Sequence, residues 1–231
     1  HSGPFHADDV LAWGLIQVFV DRDATLVRTR DKAVLDQADI VFDVGGSFDP
    51  ESGRFDHHQN SYTGPLSSAG MVLNWLEASG RVSPSLAARL RKKVCDYVDD
   101  VDNGRREPDP SVPCFASMVE AMNRGAGELA AFDAAFLRAG RMAADYVQGV
   151  ANGLAEEDAA REALLSALVD RAREGVLRPV RPCAHRVDRH FLTCCALCPR
   201  LRRAGGAGAA RHAGGAPARR GAGGVRAGAL G

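Results

Sequence analysis

The chain has 231 residues, with 29 basic and 29 acidic side chains and a formal net charge of zero. The zero hides a split: residues 1–177 carry 18 Lys plus Arg against 28 Asp plus Glu, a net −10, whereas residues 178–231 carry 11 Arg, no Lys and one acid, Asp188, a net +10. The acidic part by itself does not support long-range electrostatic capture of RNA, since it repels nucleic acid except where metals invert the local potential. The lack of a signal peptide or an apolar run of membrane-spanning length predicts a soluble, cytoplasmic protein.

Four of the seven histidines, His1, His6, His57 and His58, fall in the first 58 residues. The first cluster is His1-Ser-Gly-Pro-Phe-His6-Ala-Asp8-Asp9. Residues 8–20 follow as an amphipathic helix, with Val10, Leu11, Ile16, Val18 and Phe19 for the core and Asp8 or Asp9 in its first turn. Residues 24–29 and 40–44 are short β-branched runs that read as strands. Between them Asp31 is a plausible N-cap for a helix over 31–37, which gives a strand, helix, strand unit with a parallel crossover.

Asp43 lies within the second apolar run. A carboxylate buried there is costly unless cations or several donors compensate it, so a ligand role is favoured, and Gly45 and Gly46 let the backbone turn beside it. The second cluster is Asp56-His57-His58 and the third Asp99-Asp100-Val-Asp102-Asn-Gly104. Any one histidine beside an acid reads as a surface or capping pair. Together, at positions where strands of an open α/β sheet should end, the clusters read as a metal site, because two adjacent divalent ions need carboxylates and imidazoles from several turns.

Residues 67–79 predict another helix, with Ser67 or Ser68 as N-cap and first-turn amides able to receive a phosphate oxygen. Helices are predicted over 84–100, 111–124 and 128–173, with breaks at Gly125 and around Gly149 to Gly153. Cys95 and Cys114 read as buried small hydrophobes. Cys183, Cys194, Cys195 and Cys198 cluster with His185 and His190, but a single Cys-x-x-Cys without a matched pair favours coincidence over zinc. From Pro199 to Gly231 there are 10 Gly, 10 Ala and 7 Arg in 33 residues and no aromatic side chain. That composition offers neither a core nor a stacking platform. It is the bias of a GC-rich gene read out of frame, and a frameshifted end is the favoured expectation over a disordered RNA-binding tail.

The motifs His1-Ser-Gly-Pro-Phe-His6-Ala-Asp8-Asp9, Arg28-Thr-Arg30-Asp31, Asp43-Val-Gly-Gly46, Asp56-His-His-Gln59, Ser67-Ser-Ala-Gly70 and Val101-Asp-Asn-Gly104 resemble, in this order, those of the melanocyte-proliferating-gene family, a branch of the DHH phosphoesterases. The resemblance covers residues 1 to about 175. It implies an α/β fold: a DHH-type domain over 1–177 with a largely parallel sheet flanked by helices, then a helical stretch, and in the family a second α/β domain that residues 178–231 replace with the Arg/Ala/Gly tail. It also implies a strand ahead of the first motif, which this chain is expected to lack as a truncated sequence.

By the same resemblance His1, His6 and Asp8 are the first metal ligands, Asp43 the bridging carboxylate, His57 a further ligand and Asp102 the last. Asp99 competes with Asp102, since both can face one ion and the sequence leaves the choice open. His58 resembles the group that contacts the scissile phosphate, and Asp56 one that orients an imidazole. Arg28 and Arg30 are candidates for substrate phosphates, with a solvated strand end equally weighted. The implied function is a phosphoesterase using two Mn²⁺ ions, with Mg²⁺ as the alternative cofactor, acting as a 3′ to 5′ exoribonuclease-like nuclease on RNA or a short nucleotide. The competing expectation is an inactive fragment that binds metal without turnover.

Overall fold

The computed structural model describes residues 1–175. The Arg/Ala/Gly tail and the Cys183 to Cys198 cluster with His185 and His190 lie outside the described residues. The described unit is a mixed helix and strand structure in which a small sheet is set against a larger body of helices. Among its described residues no helix is long and apolar enough to cross a membrane.

Helix α1 (Ala7–Phe19) is the central element. Val10, Leu11 and Leu15 are fully buried, whereas Val18 and Phe19 are only partly so. It packs most extensively on α7 (Leu129–Arg173) and α3 (Ser68–Ala78). The crossing with α7 is close enough to demand glycine. A Cβ on Gly14 would lie 2.8 Å from the Ala143 Cβ, and one on Gly140 would lie 2.5 Å from Trp13 Cδ1.

The sheet is smaller and less parallel than the sequence predicts. Strands β1 (Val41–Phe42), β2 (Phe48–Asp49) and β3 (Arg54–Phe55) have two residues each, in the order β1-β3-β2. β1 pairs with β3 in parallel, and β2 pairs with β3 antiparallel. The expected strand over 24–29 does not form, so there is no strand, helix, strand crossover. Its side chains alternate between exposed and half-buried over residues 24–27, but no backbone ladder is made there.

The reason is geometric. Val41 and Asp43 donate to Gly53 and Phe55 on one side, so the polar groups of the alternate residues Ile40, Phe42 and Val44 point the other way. On that side, between β1 and residues 24–29, lies a cavity of about 600 Å³ lined by Trp13, Ile16, Leu26, Leu35, Phe42 and Phe136 among others. The two segments face each other across this gap and do not pair.

Asp31 caps α2 (Lys32–Leu35) by accepting from Ala33 N–H at 2.9 Å. The predicted helix over 84–100 is α4 (Pro84–Leu90), a π-helical turn (Arg91–Cys95) and α5 (Asp96–Asp102). Helix α6 (Phe115–Asn123) starts later than predicted, because Pro113 holds the preceding backbone out of the helical region. Cys95 is buried, but Cys114 is half-buried and sits at the N-cap of α6. Gly125, at φ +84°, ends the helix before α7. The break expected at Gly149 and Gly153 is absent. Each glycine costs about 1 kcal/mol in a helix yet keeps its N–H donor, and the strong helix formers around it carry α7 through.

Candidate metal centre

Five stretches of chain converge on one point: the loop before α1, the first turn of α1, the end of β1, the Asp56-His57-His58 segment and the C-terminal turn of α5. Asp8 and Asp9 are buried in the first turn of α1, where free helix amides favour negative charge. Asp9 Oδ1 accepts from His6 N–H at 3.0 Å and so ties the loop to the helix. Asp43 stands just past β1 rather than within it, at φ +57°, the one non-glycine residue with positive φ among those described. Such a backbone costs about 1–3 kcal/mol and persists where surrounding structure over-determines it, often at functional sites.

Asp43 links the two sides of the cluster. Its Oδ2 lies 2.9 Å from His1 Nδ1, and its Oδ1 lies 3.6 Å from His57 Nε2. His1 Nδ1 is also 3.5 Å from Asp9 Oδ2. His57 Nε2 lies 3.2 Å from Asp102 Oδ2 and 3.7 Å from Asp8 Oδ2. Three groups have donor atoms all within 4.8 Å of one another: His1, Asp9 and Asp43; His6, Asp8 and Asp102; and Asp43, His57 and His58.

The charges are unbalanced as they stand. Burial, followed by the charges of Asp43, Asp102 and Asp9, pushes the Asp8 carboxyl well above the usual range, and burial and Asp43 push Asp9 up to about 8. Burial also acts against Asp43, but the contacts of His1 and His57 outweigh it and hold its carboxyl well below the usual range. His1 is raised by its contact with Asp43 against burial. Burial lowers His57, yet Asp43 and Asp102 leave it raised.

His1 Nδ1, Asp8 Oδ1, Asp9 Oδ2, Asp43 Oδ2 and His57 Nε2 are buried with no well-aligned hydrogen bond, even where His1 Nδ1 and Asp43 Oδ2 approach to 2.9 Å. Orphaned buried polar atoms are rare, and five gathered in one cluster of oxygen and imidazole donors fit divalent cations.

The structure separates the two acids left open by the sequence. Asp102 joins His6, Asp8 and His57, whereas Asp99 turns away into the N-terminus of α3. There Asp99 Oδ1 accepts from Ser67 N–H at 3.0 Å, Ser67 Oγ–H at 2.5 Å and Gly70 N–H at 3.2 Å. Ser68 N–H donates to Asp8 Oδ2 at 3.4 Å, and its hydroxyl to Asp43 Oδ1 at 3.5 Å. The amides of Ser67, Ser68 and Gly70 expected to receive a substrate phosphate are thus occupied by the chain's own carboxylates.

Asp56 orients His58: Asp56 Oδ1 is 2.7 Å from His58 Nδ1 and accepts from its N–H at 3.1 Å, while Oδ2 accepts from Gly46 N–H at 2.6 Å. The His58 ring is 58% exposed at the rim.

Arg28 does not face the site as a phosphate ligand would. Its side chain is buried over the Phe136 ring, with Nη1 donating to Asp133 at 2.8 Å and Nη2 to the Gly3 carbonyl at 2.7 Å. The solvated strand end weighted equally for Arg28 is not found either, because α7 supplies both Asp133 and Phe136 to its side chain. Arg30 is exposed and is not brought into the cluster. Asp9 is absent from the ligand set implied by resemblance, though its place in the helix's first turn beside Asp8 was a signal for it. Asn123, discussed below, left no local signal.

The model of the uncharacterised protein family UPF0160, MYG1_exonuc, matches residues 1–177. A MYG1 protein of Chlamydia trachomatis is 43% identical over 125 residues, covering 53% of this chain and 43% of that protein. A MYG1 protein of Chlamydia pneumoniae is 37% identical over 149 residues, covering 64% and 51%. The human MYG1 exonuclease is 34% identical over 134 residues, covering 56% and 36%. The chain therefore spans about half or less of the length of these relatives. No solved structure matches. With its family model covering 1–177, the chain belongs to the MYG1 family.

Proposed function

We propose that the chain is a metal-dependent phosphoesterase of nuclease type, hydrolysing phosphodiester bonds in RNA or a short nucleotide from the 3′ end, with two Mn²⁺ ions as its cofactors. The observation that carries this reading is the set of five orphaned donor atoms on His1, Asp8, Asp9, Asp43 and His57. The name exonuclease on the human relative supports the substrate class.

His1, Asp9 and Asp43 would hold one cation, and His6, Asp8, Asp102 and His57 the other, with Asp43 between them because its two oxygens face opposite sides of the cluster. Mixed carboxylate and imidazole donors suit Mn²⁺ better than Mg²⁺, which prefers an all-oxygen shell. Two such cations supply an activated water at neutral pH and take up charge on the phosphoryl oxygens.

The chain's own part is positional. Asp56 accepts from His58 Nδ1–H, so Nε2 at the rim would donate to a phosphoryl oxygen in the imidazolium form of the ring. No serine nucleophile is needed, and Ser67 and Ser68 are fully buried. The test is turnover of bis-para-nitrophenyl phosphate and of a short RNA with Mn²⁺, Mg²⁺ or EDTA. Mn²⁺-dependent hydrolysis is expected, and RNA shortened from its 3′ end. A chain that holds Mn²⁺ but turns over neither substrate would be a metal-binding protein and not an enzyme.

A further inference from the structure

The loop from His1 to His6 has no regular structure, yet it delivers two ligand candidates. Three consecutive peptide groups within it are held by residues distant in sequence. The Gly3 carbonyl accepts from Arg28 Nη2 at 2.7 Å. The Phe5 N–H donates to Asn123 Oδ1 at 3.0 Å, and the Phe5 carbonyl accepts from Asn123 Nδ2 at 2.6 Å. The same peptide unit continues into His6 N–H, held by Asp9 Oδ1. The Phe5 ring is in turn packed edge-on against Phe136, with ring centroids 5.4 Å apart.

We infer that Asn123, at the end of α6, is a positioning residue of the metal centre: its carboxamide pairs with both backbone groups of Phe5, as a neighbouring strand would, and so sets where His1 and His6 present their imidazoles. This rests on the metal reading above. A loop with a glycine at φ +89° and a proline has no ladder of its own to fix it. Metal ligands must sit within about 0.2 Å of their proper distances, and loss of a group that orients them costs about 10–100-fold in affinity. Asn123 is separated from Phe5 by 118 residues, which makes α6 part of the site without any of its side chains touching a cation.

The test uses the full chain, with Mn²⁺ affinity read from the spin-resonance signal of the free ion and hydrogen exchange followed over residues 1–6 without metal. Asn123→Asp keeps the side-chain volume and an acceptor for Phe5 N–H but replaces the donor facing the Phe5 carbonyl. It is expected to weaken Mn²⁺ binding about tenfold or more and to speed exchange over residues 1–6, as is Asn123→Ala. Val119→Ala, which truncates a fully buried side chain one turn earlier in the same helix, should lower the melting temperature with Mn²⁺ affinity unchanged. Wild-type affinity in both Asn123 variants overturns the inference, and so does an equal loss in Val119→Ala. A wild-type chain that takes up no Mn²⁺ would instead refute the metal reading itself.

Discussion

Replacing Asp99 with alanine should cost the fold and spare the metal. The side chain is 3% exposed, and its Oδ1 collects the Ser67 N–H, the Ser67 hydroxyl and the Gly70 N–H at the start of α3. Burial outweighs those donors and leaves the Asp99 pKa raised, but the donors offset part of the cost of burying its carboxyl. In Asp99→Ala two buried backbone donors lose their acceptor. Each costs about 1–3 kcal/mol, so roughly 4 kcal/mol is expected in total, and the Ser67 hydroxyl can turn elsewhere. For a folded part of this size about 2–4 °C of melting temperature follows each kcal/mol, hence a fall of about 12 °C. Asp99→Asn keeps an acceptor without its charge and should lose about half as much. The assay is thermal melting in EDTA beside Mn²⁺ uptake, with Asp102→Asn as the counterpart, which should melt like wild type in EDTA and bind Mn²⁺ weakly. If Asp99→Ala melts like wild type and loses its metal while Asp102→Asn retains it, the ligand assignment is reversed and the capping argument fails.

Three further outcomes follow from the site. Asp43→Asn or His57→Ala should remove most of the bound Mn²⁺, read by elemental analysis of the purified variants; undiminished metal would overturn their role. His58→Ala should retain its metal yet lose at least ~2.7 kcal/mol of transition-state stabilisation, about a hundredfold on bis-para-nitrophenyl phosphate, the scale of one oxyanion donor. Stability of the metal-free chain should fall as pH rises. Asp9, ordinarily at 3.8, is raised to about 8, so the folded state holds a proton that the unfolded chain has released, and the stability this gives is lost as pH climbs towards 8. His1 and His57, raised above 6.5, lose their contribution in the same direction as pH passes their folded pKa values. Denaturation in EDTA from pH 6 to 8 should show the fall, and Mn²⁺, which replaces those protons, should remove it. A flat or rising profile without metal would contradict the burial argument.

What could be read from the sequence was what depends on neighbours in the chain. The helices α1 and α3, the Asp31 cap and the Asp56-His57-His58 cluster are local signals and appear close to where the residues placed them, although α1 is not amphipathic but buried on every face over Ala7–Ile16. The pairing of β1 with β3 was not legible, because a two-residue strand has no period to mark its partner. The Asp99 and Asp102 ambiguity had a physical origin too. Three residues apart on α5, they point to different neighbours, α3 and α1, and only the packing of those helices decides between them. Arg28 and Asn123 escaped for the same reason, since their partners lie 105 and 118 residues away.

The candidate metal centre therefore depends on helix packing as much as on its motifs. Asp8 and Asp9 take their direction from α1, and α1 is fixed by its crossing with α7, where Gly14 and Gly140 let Ala143 and Trp13 approach within contact distance. From Gly14 to Asp9 is five residues, about 7.5 Å along the helix axis. A displacement of α1 at that crossing would reach the carboxylates before intervening structure could absorb it, because well-packed interiors transmit strain. The same α7 supplies Asp133 and Phe136 to hold Arg28, which holds Gly3, so one helix sets both the first turn of α1 and the loop ahead of it. The acids of the cluster are tolerable in the interior only while cations or protons balance them, and a scaffold that fixes them together in advance offers cations a preorganised set of donors. That is why α6 and α7, which bear none of the motif residues, still shape the candidate site.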